Sequence, residues 1–336
     1  MNPATIPTFS APNPIAVNPY LNDIEEYVRS FATSIGVTGT DEGRRRLSAG
    51  YGRLVALTYP EADFGDLTLC AKWLFLTFLL DDLHTNAKYD SPQQWEPLRS
   101  RLQLIIDSGG TEGESPQVIM QALADLCRRT RARTSPGFYR RFALHLEMLL
   151  RGFLEESKNR AAGLYPSIDS FVHARRLSVG MWFGFDLIEL SQKFEIPDRV
   201  FATAQWQQLV HCAVDIVAWQ NDMWSLRIDK ERGDIHNFLL ALTHTRGLTD
   251  EQALAEVTAE INNRIDEFET TESQLPDLLR RLDLDTATQL GTRRAAAGIR
   301  QWTNACLVWY GQTTRYDSPG AVEPKQQHSY IEELFT

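Results

Sequence analysis

The sequence has few cysteines, no long hydrophobic run and no excess of positive charge. Its 336 residues include four cysteines that lie far apart and form no CxxC pair, so neither a disulfide framework nor a cysteine metal site is predicted. No apolar segment approaches the ~20 residues that span a bilayer. The formal net charge of −10 argues against a nucleic-acid partner, because phosphates require a basic surface.

The N-terminal residues 1–20 also lack the marks of a secretory signal. They contain five prolines, with neither a basic start nor an apolar core. We therefore expect a proline-rich arm over 1–20, a cytoplasmic location and no membrane partner.

Strand patterns are almost absent, whereas amphipathic periodicity runs from about Leu21 to Tyr310. The chain shows neither an internal repeat nor a Pro/Gly/Ser linker, which favours one all-α domain over the two that its length alone suggests. After a first helix near residue 22, further helices are predicted at about 42–57, 64–83, 94–107, 116–131, 137–158, 167–192, 198–230, 249–271 and 287–313.

Three polar residues recur at a spacing of four in one predicted helix. At about 100° per residue, Asn221, Ser225 and Asp229 stay within roughly 80° of one another on the helix wall. An amide, a hydroxyl and a carboxylate that face the same way suit a hard cation such as Mg²⁺, which takes oxygen ligands. A solvated helix face has the same pattern, so these residues alone leave both interpretations open.

Two adjacent acids, Asp81 and Asp82, end a long apolar helical run that includes Leu74–Leu80. Like charges repel each other, and a helix C-terminus already carries partial negative charge. A bound cation would relieve both effects. The alternative is that the pair begins a solvated loop.

The segment Arg175–Gly184 predicts a break in a helix. Gly180 and Gly184 each cost about 1 kcal/mol relative to alanine inside a helix. A break would free backbone carbonyls that have no i+4 partner. The alternative is a glycine pair that permits close helix packing.

Together these motifs resemble those of class I terpene synthases, and the resemblance covers nearly the whole chain. That family has an aspartate-rich motif, a later Asn-Asp-x-x-Ser-x-x-x-Glu motif, an arginine 46 positions before its asparagine, and a C-terminal Arg-Tyr pair. Here Arg175 precedes Asn221 by 46 residues, and Gly233–Asn237 and Arg315–Tyr316 lie in the corresponding regions.

The resemblance implies a fold and an activity. The fold is a single-domain helical barrel around a central cavity over residues 21–316, with the tail 317–336 as a lid and a homodimer as the common assembly. The activity is the ionisation of a linear isoprenyl diphosphate, above all the C15 farnesyl chain. The cation then cyclises to a terpene hydrocarbon or alcohol, and diphosphate is released.

The resemblance also implies roles for particular residues. Three Mg²⁺ ions, which Mn²⁺ can replace, would be held by Asp81, Asp82, Asn221, Ser225 and Asp229. Diphosphate oxygens would accept hydrogen bonds from Arg175, Arg315 and Tyr316. At the helix break, the sensor, linker and effector positions of the family would be Arg175, Ser178 and Val179, with Arg176 and Gly180 as a rival register.

The sequence departs from the family pattern at several positions. Thr85 and Asn86 stand where the aspartate-rich motif has a further acid, and Asp229 replaces the usual glutamate. Ile228 stands where many relatives have a diphosphate-binding lysine. These changes bear on metal affinity and on one phosphate contact.

Aromatic residues complete the predicted pocket. Phe75 and Phe78 lie one to two turns before Asp81, and Trp302 and Trp309 are seven apart on one helix face. Such residues ordinarily fill a core. Beside a carbocation, however, a ring face supplies about 0.5 to 2 kcal/mol of attraction.

Three alternatives remain from the sequence. A chain-elongating isoprenyl diphosphate synthase needs a second aspartate-rich motif, which the Asn, Ser and Asp set does not match. A proton-initiated class II cyclase needs a DxDD motif, and Asp283–Asp285 falls short of it. The last alternative is a catalytically lapsed helical protein that binds diphosphates or a partner.

Overall fold

The computed structural model describes residues 6, 7, 9, 15–85, 89–112, 115–317 and 331–335, so Asn86 and most of the predicted arm and tail lie outside it. Over these residues the expected all-α fold is confirmed, and the described chain contains no strand. A 3₁₀ turn covers Val37–Gly39. The α-helices are α1 Leu21–Ser34, α2 Asp41–Leu47, α3 Tyr51–Thr58, α4 Phe64–His84, α5 Pro92–Asp107, α6 Val118–Arg131, α7 Pro136–Ala162, α8 Ile168–Ser178, α9 Met181–Gln192, α10 Asp198–Phe201, α11 Ala204–Arg232, α12 Phe238–Arg246, α13 Asp250–Ser273, α14 Leu275–Arg281, α15 Thr286–Tyr310 and α16 Glu332–Phe335.

Two of the predicted helices are divided in the structure. The segment 42–57 forms α2 and α3, because Gly50 between them has the left-handed conformation at φ +73°. The segment 198–230 forms α10 and α11, since the Thr203 side chain caps the longer helix by accepting a hydrogen bond from the backbone N–H of Trp206. Neither α12 nor α14 was predicted, because nine and seven residues carry little periodicity.

The predicted break near residue 180 is confirmed. Helix α8 ends at Ser178 and α9 begins at Met181, with Gly180 between them at φ +73°, a conformation that favours glycine. Helix α7 packs against this break at Gly152, where an added Cβ atom would lie 2.6 Å from the Ser178 backbone nitrogen. Glycine at position 152 therefore lets the two backbones approach closely.

A buried polar cluster fixes α9 against α7 on the far side of the break. The Arg141 guanidinium donates to the Glu189 carboxylate at 2.6 Å, and His145 Nδ1 lies 2.6 Å from an Asp186 oxygen. A small cavity beside the cluster, lined in part by His145, Asp186 and Trp182, has room for about one water molecule. The cluster orients α9, and with it the break that begins the helix.

Helices α4 and α11 form the centre of the bundle. Side chains of α4 are buried around most of its circumference, and α11 packs on α8, α9, α12, α13 and α15. None of the described helices is long and apolar enough to cross a membrane. The four cysteines are buried free thiols, as the spacing predicted.

Candidate active site

The two acids at the end of α4 have different surroundings. The Asp81 side chain is 45% exposed, whereas that of Asp82 is only 4% exposed. The guanidinium of Arg315 donates to Asp81 at 2.8 Å and to Asp82 at 3.1 Å. Asp81 is thus the acid that solvent or a ligand can reach, while Asp82 lies beneath it.

Positive charge surrounds the buried Asp82 carboxylate. Burial alone would raise the pKa of Asp82, but the charges of Arg315 and Arg46 outweigh it and lower the pKa. Arg46 Nη1 lies 3.6 Å from Asp82 Oδ1. Asp82 is therefore ionised and partly neutralised by arginines of the chain.

Thr85 ends α4 at the position where the resemblance expects a further acid. Its hydroxyl donates to the Asp81 backbone carbonyl at 3.0 Å. The side chain therefore satisfies a carbonyl at the helix terminus, a role that hydroxyl side chains often take.

The predicted polar wall on α11 is present. The Ser225 hydroxyl donates to Asp229 at 2.6 Å, and the Asn237 amide donates to the same Asp229 oxygen at 2.9 Å. Burial raises the pKa of Asp229 to about 7, although both hydrogen bonds favour the charged form. The Asp229 carboxylate is thus held by neutral donors.

Arg175 lies directly against the asparagine of this wall. Its guanidinium donates to Asn221 Oδ1 at 2.8 Å and to Asp222 Oδ1 at 3.0 Å. A third contact, at 3.4 Å, joins Arg175 to the Ser178 hydroxyl at the end of α8. Val179 follows as the partly buried cap of that helix. The Arg175 guanidinium therefore connects the helix break to the polar wall of α11.

Arg176 has a different environment. It binds both carboxylate oxygens of Asp215 at 2.6 and 2.7 Å, and Arg264 lies 3.0 Å from the same carboxylate. This ion cluster joins α8 to α11 and α13. The structure thus places Arg175, and not Arg176, beside Asn221, which favours the first of the two registers.

The C-terminal pair completes the arrangement. The Tyr316 hydroxyl accepts a hydrogen bond of 2.7 Å from the Asn221 amide, and the neighbouring Arg315 binds Asp81 and Asp82. Two consecutive residues therefore bring the end of α4 and the second half of α11 together.

The predicted aromatic residues lie at two depths. The Phe78 ring lies 5.8 Å from Trp309 and 4.8 Å below the Arg315 guanidinium, so this pair adjoins the charged groups. Trp302 is two turns further from them along α15 and packs against Phe185. Phe75 is buried against Tyr51 and Phe31.

Several neighbours of the site were not singled out from the sequence. The Tyr51 hydroxyl oxygen accepts a 2.9 Å hydrogen bond from the Arg315 guanidinium, and Asp222 neutralises Arg175. Glu156 lies 2.9 Å from His84 Nε2; burial raises its pKa, but the hydrogen bond and nearby positive charge lower it overall. These are pairs between distant segments, for which a single sequence carries no periodic signal.

The oxygen atoms that could bind a cation at this site include amide and hydroxyl oxygens as well as carboxylates. In the parts of the chain that the structure describes, no three His, Cys, Asp or Glu side chains are grouped closely enough to hold a metal ion. A cation at this site would therefore depend on the amide and hydroxyl oxygens of Asn221 and Ser225.

Comparison with known proteins agrees with this arrangement. The profile of terpene synthase family 2, C-terminal metal binding, matches residues 72–267, more than half of the chain. Germacrene A synthase of Nostoc punctiforme is 27% identical over 94% of this chain and 96% of its own length. Pentalenene synthase of Streptomyces exfoliatus is 28% identical over 90% of this chain and 89% of its own.

Solved structures show the same fold. A crystal structure of a-eudesmol synthase superposes with a TM-score of 0.80 at 23% identity, covering 90% of this chain and 98% of that one. Hedycaryol synthase in complex with nerolidol gives a TM-score of 0.79 at 24% identity over 90% and 99%. With the profile match and the geometry of the motifs, these findings identify the chain as a terpene synthase of family 2, an enzyme family with a metal-binding C-terminal domain.

Proposed function

We propose that this terpene synthase is a Mg²⁺-dependent class I cyclase that ionises farnesyl diphosphate and cyclises the resulting carbocation. The observation that carries the proposal is the hydrogen-bonded series Arg175–Asn221–Tyr316, which lies next to Arg315 and Asp81. The choice of a C15 substrate is supported by a relative named (+)-T-muurolol synthase ((2E,6E)-farnesyl diphosphate cyclizing), which is 28% identical over 90% of this chain.

The chemistry of the donor set fits a divalent cation. Asp229 is a partly buried carboxylate whose hydrogen bonds come from the neutral groups of Ser225 and Asn237, so a cation would supply the missing positive charge. Asn221 and Ser225 stand on the same wall, and Asp81 is exposed. These oxygen ligands suit Mg²⁺, which when bound to a diphosphate neutralises the charge that develops on the leaving group.

The arginines and Tyr316 would orient the diphosphate. The Arg175 and Arg315 side chains are only 13% and 8% exposed, and partial burial strengthens their interaction with a phosphate oxygen. Donors that are already in place stabilise the leaving group as the allylic C–O bond breaks, with no need for a protein nucleophile. The substrate loses diphosphate and becomes an allylic carbocation.

The wall of the pocket would act after ionisation. The Phe78 ring lies directly below Arg315, with Trp309 beside it, where an isoprenyl chain attached to the diphosphate would begin. Ring faces attract a cation, and an apolar wall excludes the water that would quench it early.

We include in the proposal the domain assignment of 21–316 as the catalytic unit and 317–336 as a lid. The end of the tail supports the lid, because Ile331 and Phe335 are buried and α16 packs on α6. Arg315 and Tyr316, which lie just before the tail, contact the site itself. A lid formed by 317–336 would therefore begin directly beside two of the proposed diphosphate donors.

The test is incubation with geranyl, farnesyl and geranylgeranyl diphosphate, with and without Mg²⁺. We expect Mg²⁺-dependent diphosphate release from farnesyl diphosphate and cyclic C15 products by gas chromatography. A longer diphosphate formed when isopentenyl diphosphate is added would identify a chain-elongating enzyme instead. No diphosphate release from any substrate would contradict the proposal and favour the lapsed alternative.

A further inference from the structure

We propose that Arg46 is a further diphosphate-binding residue, which forms an anion site with Arg315 above the buried carboxylate of Asp82. The inference rests on the proposed function, because the ligand it assigns is the diphosphate group of the substrate or product. Neither the spacing of the motifs nor the comparisons assign a role to Arg46.

Arg46 and Arg315 approach the same carboxylate oxygen. Arg46 Nη1 and Arg315 Nη2 lie 3.6 and 3.1 Å from the same oxygen, Asp82 Oδ1. The two guanidinium groups are therefore close enough for one diphosphate to contact both. Guanidinium groups suit this ligand because their planar arrays of N–H donors match phosphate oxygens.

The charges at this site also favour an anion once Mg²⁺ is bound. Arg46 and Arg315 balance the carboxylates of Asp82 and Asp81, so a cation held by the exposed Asp81 would leave the group with a net positive charge. The Asp82 carboxylate between the two arginines offsets their mutual repulsion. Asp82 is 4% exposed, so it supports the arginines from below rather than competing with them for a ligand. Arg46 is 18% exposed, so part of its side chain is accessible to a ligand from solvent.

Helix α11 also contributes charge near Asp82. Ile228 and Arg232 lie one turn apart on the same side of that helix. Besides Arg315 and Arg46, the positive charge of Arg232 helps to lower the pKa of Asp82, so Arg232 lies within electrostatic range of that carboxylate. Ile228 adds no charge of its own, whereas Arg46 brings a cation to Asp82 from α2.

The local sequence supplies a matched control. Arg44, Arg45 and Arg46 are consecutive in α2, so their side chains point in directions about 100° apart. Arg44 pairs with Asp41, and Arg45 is exposed. Replacing Arg45 changes the net charge of the helix as much as replacing Arg46, but leaves the Asp82 carboxylate untouched.

The experiment compares Arg46→Ala, Arg46→Lys and Arg45→Ala with the unchanged protein. Calorimetry measures the binding of inorganic diphosphate in the presence of Mg²⁺, steady-state kinetics measures turnover of farnesyl diphosphate, and thermal unfolding reports the fold. We expect Arg46→Ala to weaken diphosphate binding about tenfold or more, the scale of a hydrogen bond to a charged group. Arg46→Lys should recover part of the loss, and Arg45→Ala should bind as the unchanged protein does.

A second variant separates ligand binding from structural support. Adding Ile228→Lys to Arg46→Ala places a cation on α11 and should restore part of the diphosphate affinity. Equal affinities for Arg46→Ala and the unchanged protein would overturn the inference. The inference would also be overturned if Arg46→Ala lost diphosphate affinity together with a lowered unfolding temperature, and neither Arg46→Lys nor the added Ile228→Lys restored that affinity.

The two proposals can fail independently of each other. If the unchanged protein turns over none of the three isoprenyl diphosphates, the proposed function fails, whereas calorimetry with inorganic diphosphate still tests Arg46. If the unchanged protein is active and Arg46→Ala matches it in both affinity and KM, the function stands and the inference fails.

Discussion

The Asn221 amide donates a 2.7 Å hydrogen bond to the Tyr316 hydroxyl, although 95 residues separate the two in the chain. The carbonyl oxygen of the same amide accepts from Arg175 at 2.8 Å. Both ends of the amide are thus fixed, so its orientation is set before any ligand arrives. Asn221 is therefore the residue at which the proposed metal set and the proposed diphosphate donors meet.

Replacing Asn221 should nearly abolish turnover while the fold persists. Asn221→Ala removes one proposed metal ligand and leaves Arg175 with its ion partner Asp222. We expect diphosphate release to fall about a hundredfold or more, the scale for losing one charge-stabilising group at a reacting centre. Tyr316→Phe removes the acceptor of the amide and one proposed diphosphate donor but keeps the metal ligand, so it should cost less. Normal release by Asn221→Ala at an unchanged Mg²⁺ requirement would contradict the metal assignment.

Replacing Arg175 should chiefly lower activity, whereas replacing Arg176 should chiefly lower stability. Arg175→Ala removes a donor beside Asn221, whereas Arg176→Ala breaks an ion pair to the buried Asp215. Breaking a buried pair costs about 3–5 kcal/mol. We expect about 2–3 kcal/mol for Arg176→Ala, because Arg264 still neutralises Asp215.

Turnover of both arginine variants should be measured well below their unfolding midpoints. Arg175→Ala also leaves Asp222 without its cation, so its midpoint will fall too. At a temperature where both proteins are folded, Arg175→Ala should have the lower kcat. A lower kcat for Arg176→Ala would support the shifted register in which Arg176 acts with Gly180.

Much of this arrangement could be predicted because it is local or periodic. Helical periodicity predicted the long helices, and the spacing of four placed Asn221, Ser225 and Asp229 on one wall of α11. The glycine at 180 predicted the break between α8 and α9. The 46-residue spacing of Arg175 and Asn221 came from the family resemblance, and the structure brings these two residues into contact.

The rest depends on contacts between segments that are distant in sequence. Nothing near Arg46 indicates that Asp82 lies within reach, and nothing near Glu156 indicates His84. Such pairs form when residues of α2 and α7 reach the end of α4 in the folded protein. Contacts between distant segments leave no repeating pattern in the sequence, so they cannot be predicted from it. The short helices α12 and α14 were missed because two turns carry too few apolar repeats.

The two acids of α4 should differ in what their loss affects. Asp81→Asn removes the exposed carboxylate, so the Mg²⁺ concentration for half-maximal activity should rise about tenfold or more, as for loss of a charged ligand. Asp82→Asn removes the charge that holds Arg46 and Arg315 together. It should be milder toward Mg²⁺ and should chiefly raise the KM for the diphosphate substrate.

Magnesium titrations at saturating substrate, and substrate titrations at saturating Mg²⁺, measure these two effects separately. Thermal unfolding is the control for Asp82→Asn, since its carboxylate is buried between two arginines. Equal and slight effects of both variants would indicate that the pair is a solvated end of α4 with no part in the reaction.

Our last prediction concerns the aromatic wall below Arg315. Phe78 is partly buried and lies beside Trp309, whereas Phe75, three residues earlier, is fully buried against Tyr51 and Phe31. Phe78→Leu should therefore change which C15 products form, or release acyclic ones, while diphosphate release continues. Ionisation depends on the metal and the arginines, but the later cations depend on the wall.

Phe75→Ala is the control for this prediction, and Trp309→Phe extends it. An emptied aromatic core site costs about 3–5 kcal/mol, so Phe75→Ala should lose stability and keep the parent products. Trp309 also donates to the Ala49 and Gly50 carbonyls, so Trp309→Phe should alter both products and stability. Gas chromatography and thermal unfolding measure the two effects. An unchanged product profile for both Phe78→Leu and Trp309→Phe would show that these rings are ordinary core. Side chains that contact the carbocation determine how it cyclises, so changing their shape must change the products.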